Sequence, residues 1–170
     1  QHEHVEVRQG SGLKVLSPGE ADCIAIAGMG ASTIISILED DMEVAQSAEL
    51  LVLQPMAGAA SLRAWLCSHG WQLAAEELVD DAPHFYEIIA AKRGLAPGYS
   101  AAECAVGPLL LAQKHPLLGK QLERQLATCR QLLENMGRSE CARASEKYKE
   151  IEALKAELEV LQNGKRSDSK

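Results

Sequence analysis

Aromatic residues are scarce in this chain. Phe, Trp and Tyr make up 4% of its 170 positions, so a core must come from Leu, Ile, Val and Ala, which the 46% hydrophobic content allows. No apolar run approaches the ~20 residues of a membrane-spanning helix, and no leader pattern stands at the front. The first residue is Gln1, not Met. The five cysteines (Cys23, Cys67, Cys104, Cys129, Cys141) form no CxxC pair, and no His/Cys group has zinc-ligand spacing. Free thiols in a reducing, cytoplasmic setting and no bound metal are expected. No internal repeat is evident. Positive charge is scarce in the front: residues 1–94 carry 5 Lys/Arg against 14 Asp/Glu, net −9, whereas residues 95–170 carry 12 against 10, net +2. Any contact with nucleic acid is expected in the back half.

What is present is organised around Asp22–Gly30, DCIAIAGMG. Five small or β-branched apolar residues lead into a Gly-x-Gly turn, and Ala31–Asp40 follows with Ile34, Ile35, Ile37 and Leu38 at helical spacing. Ser32 or Thr33 could cap that helix. This is the pattern of a buried strand, a turn and a helix in an α/β sheet, where ligands bind at the carboxyl ends of strands. Gly28, Met29 and Gly30 are therefore the first site candidates. Leu50–Leu53 predicts a second strand, closed by Gln54-Pro55.

Around these, His4–Arg8 alternates and predicts a short strand, followed by the QGSGL turn at 9–13. Ala59–His69 predicts a helix stopped at Gly70. His69 and Trp71 read as helix end and core. Trp71–Val79 and Phe85–Ala91 predict a hairpin of strands, although Ala74–Glu77 could equally be helical. Residues 95–108, rich in Gly, Pro and Ala, predict a linking loop. From residue 109 to 162 the spacing changes to helical. Leu118, Leu122, Leu126, Cys129, Leu133 and Met136 form one run; Cys141, Ala144, Tyr148, Ile151, Leu154, Leu158 and Leu161 form a second, near-heptad run. A break at Gly137 predicts an antiparallel two-helix hairpin, monomeric if the seam closes within one chain. The tail 163–170 is polar and expected to be disordered.

Taken in order, QGSGL (9–13), DCIAIAGMG (22–30), LVLQP (51–55), LRAWLCSHGW (62–71), EELVDD (76–81) and HFYEIIAAKRG (84–94), followed by a helical arm, resemble the bacterial tRNA adenine-N1 methyltransferases that modify adenine-22. The resemblance implies an S-adenosylmethionine-dependent enzyme with an α/β, Rossmann-like methyltransferase sheet of strand order 3-2-1-4-5-7-6, parallel but for a final antiparallel strand. A C-terminal antiparallel two-helix coiled-coil arm would help grip tRNA. It places Ser11, Gly12 and Gly28 near the cofactor, and Gly28, Met29, Gly30, Gln54 and Pro55 around the transferred methyl and the base. Lys114, Lys120, Arg124, Arg130, Arg138 and Arg143 are the arm's candidates for phosphate contact. His84, Phe85 and Tyr86 could stack on a base.

The chain departs from the family pattern at four points. Ser11 stands where Asp is preferred, Ala31 replaces the last Gly of Gly-Met-Gly-Gly, and Met56 follows Gln54-Pro55 where Asn is usual. The first two strands, with the acidic glycine-rich loop that cradles the methionine end of the cofactor, have no counterpart, so the sequence reads as a fragment of a longer product or a truncated gene model. The expected sheet is then partial, with Asp22–Ala27 at its edge; either His4–Arg8 re-pairs against that edge, the favoured outcome, or residues 1–20 lie loosely ordered. Weak or no cofactor binding follows. Two alternatives to an active enzyme remain: a catalytically dead RNA- or partner-binding module, and a coiled-coil assembly protein.

Overall fold

The structure is a computed structural model that describes the backbone of residues 5–167 and the side chains through residue 164. The chain divides into two compact units, residues 1–98 and 99–170.

The first unit is built on β1 (Cys23–Met29), α1 (Ala31–Asp40), α2 (Met42–Ser47), β2 (Leu50–Pro55), α3 (Ala59–Ser68), β3 (Trp71–Asp81) and β4 (His84–Arg93). Its sheet has the order β1-β2-β4-β3. β1 and β2 run parallel, and β4 lies antiparallel to both β2 and β3. This is the 4-5-7-6 half of the strand order that the resemblance implies, with β1 at its edge. The re-pairing of His4–Arg8 is not seen: Val5–Arg8 has no regular structure, and His4 lies outside the described residues. Arg8 is instead turned back on its own loop, with Nη1 donating to the Val15 carbonyl at 2.9 Å and ion pairs to Glu6 and Glu20.

β1 buries only Ile24 and Ile26, while Cys23, Ala25 and Ala27 face outward. The small apolar run is thus a half-covered edge strand rather than one buried on both faces. Leu51, Leu53 and Pro55 give β2 the same alternation. α1 buries Ala31, Ile34 and Leu38; its N-cap is Gly30, with no side-chain cap, so neither Ser32 nor Thr33 serves there. The short α2, which buries Val44 and Ala45, is too brief for a helical period to show in the sequence.

β3 is a strand throughout, and a bulge resolves its ambiguous middle. Its register to β4 shifts between Leu73 and Ala75. Trp71 and Leu73 point inward before the shift, Glu76 and Leu78 after it. One extra residue moves the inward positions from odd to even numbers, which broke the alternation in the sequence. Trp71 is fully buried, with Arg93 stacked over its ring at 5.1 Å.

The second unit contains α4 (Ala101–Val106), α5 (Pro108–Ala112), α6 (Leu118–Met136), α7 (Glu140–Arg143) and α8 (Glu146–Ser167). The expected loop over 95–108 is therefore helical in its second half. Ser100 caps α4: its hydroxyl accepts from the Glu103 N–H at 3.2 Å, while Glu103 Oε2 accepts from the Ser100 N–H at 2.7 Å. That Ser-x-x-Glu signal sat among glycines and prolines. α8 also runs on to Ser167, into the stretch expected to be disordered. α6 and α8 pack on each other. α6 contributes Leu118, Leu122, Leu126 and Cys129, and α8 contributes Ile151 and Leu158. Cys141 and Ala144 stay exposed, so the seam does not reach the start of its heptad run.

Candidate active site

β1 ends in a bulge. Its pairing to β2 is unbroken from Cys23↔Leu50 to Ala27↔Gln54, then skips to Met29↔Pro55. The residue passed over is Gly28, at φ 76°. That left-handed conformation strains any residue with a Cβ, and it accounts for glycine here although a Cβ would meet nothing within 4 Å. Two backbone bonds tie the turn to the end of β2: Met56 N–H donates to the Met29 carbonyl at 2.8 Å, and Ala31 N–H donates to the Ala57 carbonyl at 2.9 Å. The side chain of Gln54 joins them, with Oε1 accepting from the Gly28 N–H at 2.9 Å. Gln54 Nε2 lies 3.6 Å from Met56 Sδ. Met29 is left 41% exposed.

Two hollows flank this turn. One, of about 330 Å³, runs beside β1 and is lined by Gly12, Leu13, Ile24, Ile26, Met29 and Ile37 among others. Gly12 approaches α1 closely: a Cβ built on it would stand 3.2 Å from Ile37 Cγ2. The other, of about 320 Å³, lies where α1 and α3 begin, and is lined by Gly30, Ala31, Ser32, Ile35, Ala57, Gly58 and Ser61.

Of the residues singled out in the sequence, Gly28, Met29, Gly30, Gln54 and Pro55 come together at the ends of β1 and β2. Gly12 shares the first hollow with Met29; Ser11 is exposed beside it and does not line it. The basic candidates lie in the second unit, on and around α5, α6 and α7. Several already have partners there. Arg130 lies 4.0 Å from Glu159, Arg138 lies 3.6 Å from Glu134, and Arg143 Nε donates to the Gly137 carbonyl at 2.6 Å. Lys114, Lys120 and Arg124 also have partners. His84 and Tyr86 stand together near the hairpin end, with ring centroids 5.8 Å apart.

Sequence reasoning missed the Ala31–Gly58 contact. A Cβ at Gly58, which has φ 78°, would stand 3.0 Å from the Cβ of Ala31. It also missed the bond from Gly28 to Gln54, since a bulge leaves no mark in a run of small residues. Among the described residues no cluster of His, Cys, Asp or Glu could hold a metal ion, and no helix is long and apolar enough to cross a membrane.

Comparison with known proteins meets this geometry. The model of the TrmK family, tRNA (adenine(22)-N(1))-methyltransferase, matches residues 1–163. The tRNA (adenine(22)-N(1))-methyltransferase of Bacillus subtilis is 32% identical over 163 residues, covering 93% of this chain and 68% of that protein. The crystal structure of the B. subtilis m1A22 tRNA methyltransferase TrmK superposes with a TM-score of 0.80 at 31% identity, over 94% of this chain and 70% of that one. A Streptococcus pneumoniae structure in complex with S-adenosyl-L-methionine gives a TM-score of 0.76 at 27% identity, over 94% of this chain and 69% of that one. With the half-sheet, the bulged turn and a family match that spans nearly its whole length, this chain belongs to the tRNA (adenine(22)-N(1))-methyltransferase family.

Proposed function

We propose that the chain carries its family's activity, methyl transfer from S-adenosylmethionine to N1 of an adenine in tRNA. One observation carries the assignment to this site: the Gly28–Met29–Gly30 turn stands at the carboxyl end of β1, bulged outward, beside a hollow that it shares with Gly12.

The residues present fit the apolar part of the cofactor. The hollow beside β1 is lined by aliphatic side chains and by Met29, and no lining residue carries a charge. Gly12 would border the adenine ring there, with Ser11 at the rim and Met29 toward the transferred methyl. S-adenosylmethionine, when bound, supplies an electrophilic methyl group on sulfur.

N1 of adenine carries no proton, so attack needs alignment more than a base. The chain supplies alignment through a turn whose backbone is already bonded: the Gly28 N–H to Gln54, the Met29 carbonyl to Met56 and the Ala31 N–H to Ala57. A turn fixed in this way does not reorganise during transfer. The base must leave its stack to reach it. Lys114, Lys120, Arg124, Arg130, Arg138 and Arg143 are the proposed phosphate contacts.

The test is incubation with methyl-labelled S-adenosylmethionine and a tRNA transcript, followed by nucleoside mass spectrometry. Label in 1-methyladenosine supports the proposal. Label in another nucleoside, or none with cofactor and RNA at saturation, overturns it for this chain.

A further inference from the structure

Gly28 loses its place in the β1–β2 ladder, because the register skips from Ala27↔Gln54 to Met29↔Pro55. A bulge leaves the extra residue without a backbone partner. Here a side chain replaces the missing rung: the Gly28 N–H donates to Gln54 Oε1 at 2.9 Å. An N–H requires an acceptor, so this bond decides which end of the carboxamide faces Gly28. The Nε2 end is then turned toward Met56, whose Sδ accepts at 3.6 Å. Met56 in turn donates its own N–H to the Met29 carbonyl at 2.8 Å. Gln54 and Met56 therefore hold the Gly28-Met29 segment at its two ends, through the Gly28 N–H and the Met29 carbonyl.

We propose that Gln54 is a positioning residue: it acts through the Gly28 amide to hold Met29 at the hollow, and the Met56 thioether orients its carboxamide. Its consequence for catalysis rests on the methyl-transfer reading above; the clasp itself does not. A residue that worked by donating Nε2 to the purine would need that donor. A residue that works through Gly28 needs only Oε1.

The two roles separate on Gln54→Glu, which keeps an acceptor and loses the donor, and Gln54→Leu, which loses both. The first readout is amide hydrogen exchange in glycine-labelled protein. Gly94, whose N–H donates to the Gly70 carbonyl at 3.1 Å in the β3–β4 hairpin, serves as an internal reference. Gly28 exchange should rise roughly tenfold in Gln54→Leu, the loss of one hydrogen bond, and by no more than about two- to threefold in Gln54→Glu, which keeps the acceptor and loses only the contact to Met56 Sδ. Met56→Leu should speed it about two- to threefold, with Gly94 unchanged throughout. An unchanged Gly28 rate in Gln54→Leu, or equal loss in both Gln54 variants, overturns the proposal. Should Gln54→Leu fail to fold, Met56→Leu decides, and an unchanged Gly28 rate there overturns it.

The second readout is kcat at saturating tRNA. It should fall about tenfold in Gln54→Leu and by clearly less in Gln54→Glu, which keeps the acceptor for the Gly28 N–H. Equal loss of kcat in both would return Gln54 to direct contact with the base. If the wild-type chain transfers no methyl group, the functional reading fails while Gly28 exchange still decides the clasp.

Discussion

Arg63 Nε donates to Glu76 Oε1 at 2.5 Å, and neither side chain shows any surface to water. Arg63 comes from α3 and Glu76 from β3, and the same guanidinium reaches Glu87 of β4 at 2.9 Å. One cation thus ties a helix to both strands of the hairpin. Removing a partner from a buried pair strands the other's charge, at about 3–5 kcal/mol. Arg63→Leu should lose that much stability in urea, because it leaves two carboxylates facing each other. Full retention of the urea midpoint would mean that the hairpin is held by its apolar contacts alone.

The contact between Ala31 and Gly58 makes a second prediction. Gly58 has φ 78° and starts α3, while Ala31 starts α1. Gly58→Ala would have to accept the left-handed conformation, at about 1–2 kcal/mol, and push against a Cβ only 3.0 Å away. Ala31→Gly removes the second cost and leaves the first. The double variant should therefore recover part of the loss, which thermal unfolding of the four proteins reads as a non-additive cycle.

Glu20 supplies a pH prediction. The Arg8 guanidinium, and after it the Ser17 N–H, hold the Glu20 carboxyl down to about 2, from an ordinary value near 4.5. A carboxylate depressed on folding stabilises above its unfolded value and loses that contribution as pH falls through its folded one. The 8–20 loop should thus stay tied down to about pH 4.5 and let go toward pH 2. The Ser17 amide, which donates to Glu20 Oε2 at 2.8 Å, reports it by its chemical shift. A midpoint near 4.5 in the native chain would dismiss the tie; Arg8→Gln should move the midpoint up toward that value, the Ser17 N–H still holding it somewhat below.

How far the sequence was legible follows from what each element needed. β1, β2, α1 and α3 were readable because each takes its shape from its own apolar spacing. The family's strand order could be matched because β1, β2 and the hairpin come in the expected succession. The bulges were not readable. At Leu73/Ala75 one extra residue exchanged the two faces of β3, and Glu76 became buried only because Arg63 waits on α3. At the site, glycines 28 and 30 were found by their spacing. The bond from Gln54 was not, since it depends on a register break between strands that lie 26 positions apart. His4–Arg8 failed for the opposite reason: its alternation is real, yet Val5 and Val7 are 88% and 90% exposed, and no neighbouring strand among the described residues takes them up.

The basic residues of the second unit give the last prediction. Lys120 and Arg124 are four apart on α6, so they share one face, and both are exposed. Arg138 and Arg143, by contrast, stand on different elements, one between α6 and α7 and the other on α7, and share no helix face. If α6 meets RNA, the pair at 120 and 124 should carry more of the binding than the pair at 138 and 143. Affinity for tRNA should fall linearly with the logarithm of salt, by about 0.7–0.9 units of slope for each phosphate neutralised. Lys120→Gln with Arg124→Gln should therefore reduce the slope by about 1.4–1.8 and weaken binding at low salt by tenfold or more. Arg138→Gln with Arg143→Gln should change the slope by less than 1. Filter binding of a tRNA transcript across a salt series measures both. A native slope close to zero would take the helices out of the RNA contact and leave recognition to the turn at Gly28 and its surroundings.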